Sequence, residues 1–150
     1  MAVTAAGLFG LTLEKMMIDT VGLSLESETD VSVALITDSA TPNFDTHDFW
    51  SDLEANEVSG TGYTAGGATL TSTEVTLSSG VLTYDAADPS WSSSTIPDAM
   101  AAVGYFDRGG ATTADELVFL LDFVTAASSD GGLFLVALDA AGIFTLDYTP

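Results

Sequence analysis

Cysteine is absent, which excludes disulfides and thiolate metal sites and leaves nothing to report on redox compartment. Cations are nearly absent as well: Lys15 and Arg108 stand against 22 acidic residues, for a formal net charge of -20. Nucleic-acid affinity rests on lysine and arginine displacing counterions from phosphates, so a surface of this sign repels nucleic acid and no such partner is expected. No apolar run reaches the roughly 18 residues that a membrane span needs, so the chain is expected to be soluble, with no membrane partner. No basic stretch leading into an apolar one opens the sequence, and a secretory signal is not expected. Histidine occurs once, as His47, which leaves any catalytic triad a single candidate base. Neither a Gly-x-Ser-x-Gly elbow nor a His-Glu-x-x-His pair is present.

What is present describes a folded domain. A hydrophobic share of 47% argues against disorder, and 150 residues are enough for one domain with a real core. Repulsion between so many carboxylates is screened over about 10 Å at 0.1 M salt. The acidic surface therefore suits either plain solubility or a life in seawater or brine.

The stretch Asn56-Glu57-Val58-Ser59-Gly60-Thr61-Gly62-Tyr63-Thr64-Ala65-Gly66-Gly67 joins two textures. Four glycines among small hydroxyl residues predict a shaped loop with close turns. A phosphate-binding reading fails on context: no P-loop lysine closes the stretch, and Ala68 to Leu77 is β-branched and reads as strand, not as a helix N-terminus. Before the loop, Phe9, Leu13, Met16 and Met17 recur at helical spacing and predict a short amphipathic helix within Leu8 to Ile18. Residues 1–28 then form an N-terminal arm and residues 29–150 a single β-rich domain. The helix either packs on its own core or docks on a neighbouring subunit through Phe9, Leu13 and Met17. Val31 to Ile36 alternates as a strand, and Asp45 to Leu53 opens on an N-cap residue with acids in its first turn. A second short helix is predicted there, with Phe49 or Trp50 turned inward.

After the loop, Leu70 to Leu77 and Val81 to Tyr84 flank Ser78-Ser79-Gly80 as a hairpin. Asp85 to Trp91 reads as loop around Pro89. Ala99 to Asp107 and Leu117 to Val124 are strands, the latter apolar on both faces except at Asp122 and so expected to be the most buried. Leu133 to Leu138 and Ile143 to Tyr148 are expected to pair around Asp139 to Gly142. Such spacing without long helices predicts a mainly β fold, an antiparallel sandwich or barrel carrying one or two short N-terminal helices.

Candidate chemistry is thin. His47 lies between Asp45 and Asp48, but a helix turns such near neighbours to different faces, so a metal corner or general base is not assembled. Asp85 and Asp88 resemble a glycosidase pair only as any two of 22 acids would. Dense loop carboxylates suit calcium, yet no EF-hand spacing occurs, and neither metal nor cofactor is assigned. The chain reads as a non-enzyme. Arg108, between a strand end and Gly109-Gly110, is expected to clamp a carboxylate bidentately, within the fold or across a subunit boundary.

The run Val33-Ala34-Leu35-Ile36-Thr37-Asp38-Ser39-Ala40-Thr41-Pro42-Asn43-Phe44-Asp45-Thr46-His47-Asp48-Phe49-Trp50, followed by the loop from Asn56 to Gly67, resembles a widespread family of tailed-phage virion proteins. Ala102 to Asp107 and Gly142 to Leu146 continue the likeness, which covers most of the chain beyond Thr29 and departs over Met1 to Glu28. The resemblance implies a virion structural protein. Relatives of this kind are variously described as decoration, head-fibre or minor tail proteins.

Two functions follow. One is a capsid decoration or cement protein on the outside of the shell, with the major capsid protein as partner and, as the resemblance implies, a homo-oligomer, most simply a trimer. The other is a tail or head-fibre component whose loops from Gly60 to Gly67 and Asp85 to Ser94 touch a host receptor or glycan, with Tyr63 and Trp91 as aromatic platforms.

Overall fold

In a computed structural model of the protein, residue 3, residues 5–18, residue 22 and residues 24–147 are described. The fold is mainly β, and every strand pairing in it is antiparallel. Strands β1 (Gly7–Leu8), β2 (Val31–Thr37), β3 (Ala68–Thr69), β7 (Ala99–Phe106) and β8 (Leu117–Ala127) form a central sheet in the order β1-β8-β7-β2-β3. Strands β4 (Glu74–Ser78), β5 (Val81–Asp85) and β10 (Phe144–Asp147) form a second sheet, ordered β10-β5-β4. Strands β6 (Ser90–Ser94) and β9 (Gly132–Leu135) pair as a third. The sheets stack and do not close into a barrel, so of the two expected architectures the sandwich-like one is found.

Core lies on both faces of the central sheet, which is why its inner strands are apolar in both phases of the pleat. Val31, Val33 and Leu35 of β2 point into a cluster with Tyr84, Trp91 and Phe134 from the two smaller sheets. Ala34 and Ile36, one residue out of phase, point into a second cluster with Phe9, Trp50 and Leu53. Every residue of β7 is buried, whereas β8 is buried only from Leu117 to Leu120. The expectation that Leu117 to Val124 is the most buried strand is corrected accordingly. β7 has β2 and β8 on its two edges, while β8 past Leu120 has no outer neighbour among the described residues. There the edge is bent: Val124 takes φ +64 and donates its N–H to Asp122 Oδ1 at 2.7 Å, a local kink that spoils the edge for pairing.

The N-terminal helix is α1 (Gly10–Met17). The described residues of this N-terminal stretch are tied to the sheet and core: β1 pairs with Phe119 and Leu120, Phe9 donates to the Val118 carbonyl at 3.0 Å, and Phe9 and Leu25 are buried. The second predicted helix is replaced by two short 3-10 turns, Trp50–Asp52 and Glu54–Asn56. Local side chains outcompete the helix. Asn43 Oδ1 takes the N–H groups of Asp45 and Thr46, and Asp52 Oδ2 takes those of Asp48 and Phe49. Residues 48–50 are also held extended, because Leu117 donates to the Asp48 carbonyl and Trp50 to that of Asp115. Trp50 does turn inward and stacks on Tyr105 with ring centroids 5.1 Å apart.

The hairpin at Ser79-Gly80 forms as a two-residue turn with φ +51 and +81, the mirror-image type that matches strand twist. Two other expectations are corrected. Trp91 belongs to β6 and not to a loop, pairing with Phe134. β9 and β10 do not pair with each other: Val136 and Leu138 bond to Pro89 and Asp88, and Ile143 then donates to the Tyr84 carbonyl, which delivers β10 to the edge of β5.

Candidate functional site

The second sheet has two unlike faces. Thr76, Thr83 and Thr145 stand directly opposite one another across β4, β5 and β10, so they share the polar outer face. On the other face Val75, Tyr84 and Phe144 form one apolar row, and Leu77, Leu82 and Leu146 form the next. The first row packs into the core. The second overhangs it: Leu77 is 63% exposed and Leu146 39%.

Helix α1 faces this overhang across a groove of about 520 Å³. Phe9, Leu13, Met16 and Met17 line it from the helix side, and Val75, Leu82, Phe144 and Leu146 from the sheet. The helical spacing read in the sequence thus does mark one continuous face. Phe9 is fully buried and forms the floor, so it is not itself a surface contact; Met17, 80% exposed, forms the open end. Thr12 also lines the groove, and its buried Oγ1 has no hydrogen-bond partner. The strand residues were not recognised as part of this face. Their signal was there in the leucine-threonine alternation, but pairing them required the β5–β10 register.

Tyr63, Trp91 and Arg108 lie elsewhere and are not brought together with it. Tyr63 and Trp91 are not exposed aromatic platforms: Trp91 is buried, and the two rings pack on each other at 5.5 Å. The Tyr63 hydroxyl accepts the Leu35 N–H at 2.9 Å and donates to Glu57 Oε1 at 2.7 Å, and the same carboxylate oxygen takes the Gly66 N–H at 2.7 Å. Tyr105 donates its hydroxyl to the Gly66 carbonyl. These bonds have a clear cause. β3 covers the edge of β2 only opposite Ser32 and Val33, so beyond them Leu35 needs partners; its N–H goes to Tyr63 and its carbonyl to the Val58 N–H. The glycine-rich loop therefore finishes the central sheet. Its small residues serve close approach inside the fold, since a side chain at Gly60 would strike the Thr95 carbonyl and one at Gly67 the Val33 carbonyl. Burial raises the Tyr63 and Tyr105 hydroxyls above the ordinary phenol range. It also raises the Glu57 carboxyl, against the bonds from Tyr63 and Gly66.

Arg108 clamps a carboxylate within the fold. Its Nε and Nη2 donate to the two oxygens of Glu116 at 2.8 and 2.7 Å, and its backbone N–H donates to Asp115 Oδ1. The bonds to Glu116 hold the guanidinium firmly charged, while burial pushes the Asp115 carboxyl up. Lys15 does similar work at the helix. It reaches both oxygens of Asp48, at 2.6 and 2.7 Å, and lies 4.4 Å from the centre of the Phe49 ring. Among the described residues no cluster of three or more His, Asp or Glu side chains is arranged to hold a metal ion, and no helix is long and apolar enough to cross a membrane. No protein-family model, curated protein or solved structure matches the chain.

Proposed function

We propose that this is a non-enzymatic structural protein of a tailed-phage virion, specifically a capsid decoration (cement) protein that attaches to the outside of the shell, with the major capsid protein as its partner. The observation that carries the reading is the overhanging apolar face beside α1, on a domain whose remaining surface is strongly acidic. An exposed, contiguous apolar surface of this kind is an attachment surface by default. Attachment of many small copies, each through a modest interface, gains strength from number, and a homo-oligomer such as a trimer multiplies it again. The resemblance noted over residues 33–67 supplies the phage context. The tail or head-fibre alternative relied on Tyr63 and Trp91 being presented to a receptor, and their engagement inside the fold removes that support.

Quantitative mass spectrometry of purified particles tests the reading. The expected copy number is comparable with that of the major shell protein. A ratio of only a few copies per particle would transfer the assignment to the tail or fibre.

A further inference from the structure

The groove beside α1 has a chemistry that narrows its occupant. Its walls are apolar side chains, with the unpartnered Thr12 hydroxyl as a polar point among them. Its surroundings are anionic: Glu26 lines it and Glu14 lies on the helix that forms one wall, in a chain whose formal net charge is -20. The chain has two cations, and each is bonded to a carboxylate of the same chain, Lys15 to Asp48 and Arg108 to Glu116. Any new ion pair made on docking must therefore use cations that the partner brings.

We infer that the groove is the receptor for a protein segment that has large apolar side chains on one face and lysine or arginine flanking them. This deepens the attachment reading and rests on it, but not on the shell being the particular partner. Other occupants fit the charges less well. A second copy would bring another -20 and no cation beyond the two already engaged in the fold. Copies can still associate through other faces. An anionic lipid surface or a nucleic acid is repelled outright. A basic amphipathic segment satisfies both demands at once, because its apolar face covers the Leu77, Leu82 and Leu146 row while its cations meet the acidic surround.

The probe is a fluorescein-labelled peptide with leucines at helical spacing and lysines at both ends, alongside a counterpart carrying glutamates in place of the lysines. Binding is followed by anisotropy with the full chain. The variant Leu82→Ser/Leu146→Ser leaves the charge unchanged and removes two part-exposed apolar side chains that line the groove. Leu133→Ser, on β9 and 61% exposed, is the control away from the groove. The lysine peptide is expected to bind the wild type and the Leu133→Ser chain alike, and to bind the double variant at least about tenfold more weakly. The glutamate peptide is expected not to bind. If the double variant melts early, Met17→Ser at the open end takes its place.

Equal binding to the groove variant would reduce the contact to general charge attraction and overturn the proposal. So would equal binding of the glutamate peptide, or failure of the lysine peptide to bind at all. Sedimentation that shows the chain self-associating through this face, abolished by the same leucine changes, would make a second copy the occupant instead. Particle copy number is read separately, so the shell assignment and the groove assignment can fail independently.

Discussion

Gly67→Ala is expected to lower stability by about 4 kcal/mol, whereas Gly109→Ala is expected to cost about 1 kcal/mol, although both glycines sit in the left-handed region. Gly67 has φ +79 and Gly109 φ +68, so the backbone penalty for gaining a Cβ is similar at the two sites. The surroundings differ. At Gly109 nothing lies within 4 Å of the added atom, and only conformational strain is felt. At Gly67 the added Cβ would stand 1.9 Å from the Val33 carbonyl oxygen and 2.7 Å from the Ala34 Cα. Neither atom can yield, because Val33 and Ala34 are in the middle of β2 and paired with Gly104 and Val103 of β7. The loop must move instead, and it takes with it the Glu57 and Tyr105 bonds to Gly66. For a domain of this size about 4 kcal/mol corresponds to a fall in melting temperature of roughly 8–16 °C, against about 2–4 °C for the control. Thermal melts of the two variants side by side decide it. Equal, small shifts would mean that the loop is not wedged against β2.

The strands were legible because their residues alternate or are uniformly apolar between turn signals, and because Ser79-Gly80 names its own turn. The helix was legible from Phe9, Leu13 and Met17, whose spacing also located one wall of the groove. What could not be read was how sheet edges are finished. Nothing local says that β10 will lie against β5 instead of β9, since that choice rests on long-range hydrogen bonds from Ile143 to Tyr84 and from Leu138 to Asp88. The second predicted helix failed for a related reason. Asp48 and Trp50 are held by the chain entering β8, a long-range bond that local propensity does not see. The small residues of the 56–67 loop predict close turns, but nothing local says that the surface they turn against is β2 of the same chain. Tyr63 and Trp91 look like exposed aromatics for the same reason: their partners, Glu57 and Leu35 for one and Phe134 for the other, become neighbours only in the fold.

Glu57 is the residue on which that loop turns, and replacing it separates its hydrogen-bonding role from its charge. Glu57→Leu removes the acceptor for both the Tyr63 hydroxyl and the Gly66 N–H and is expected to cost about 2–3 kcal/mol, the penalty for two part-buried donors left unpaired. Glu57→Gln keeps a carbonyl oxygen in the same place and drops the charge. Burial holds the Glu57 carboxyl above the ordinary glutamate value of 4.5, so the folded chain binds this proton more tightly than the unfolded chain does. With more protons bound in the native state, stability falls as pH rises from that ordinary value through the raised one, and is level above it. Glutamine does not titrate and escapes the fall. The stability of Glu57→Gln relative to wild type is therefore expected to improve as pH is raised from about 4 to about 7, while Glu57→Leu stays destabilised at both ends. Urea unfolding at a series of pH values, in about half-molar salt to screen the general repulsion of an acidic body, measures the difference directly. The remaining acids are shared by both chains and cancel in the comparison, apart from any coupling to Glu54 beside it. A glutamine-to-wild-type gap that stays constant with pH would show that Glu57 is not buried as a charge. A leucine variant as stable as wild type would show that the loop does not depend on it to close the edge of β2.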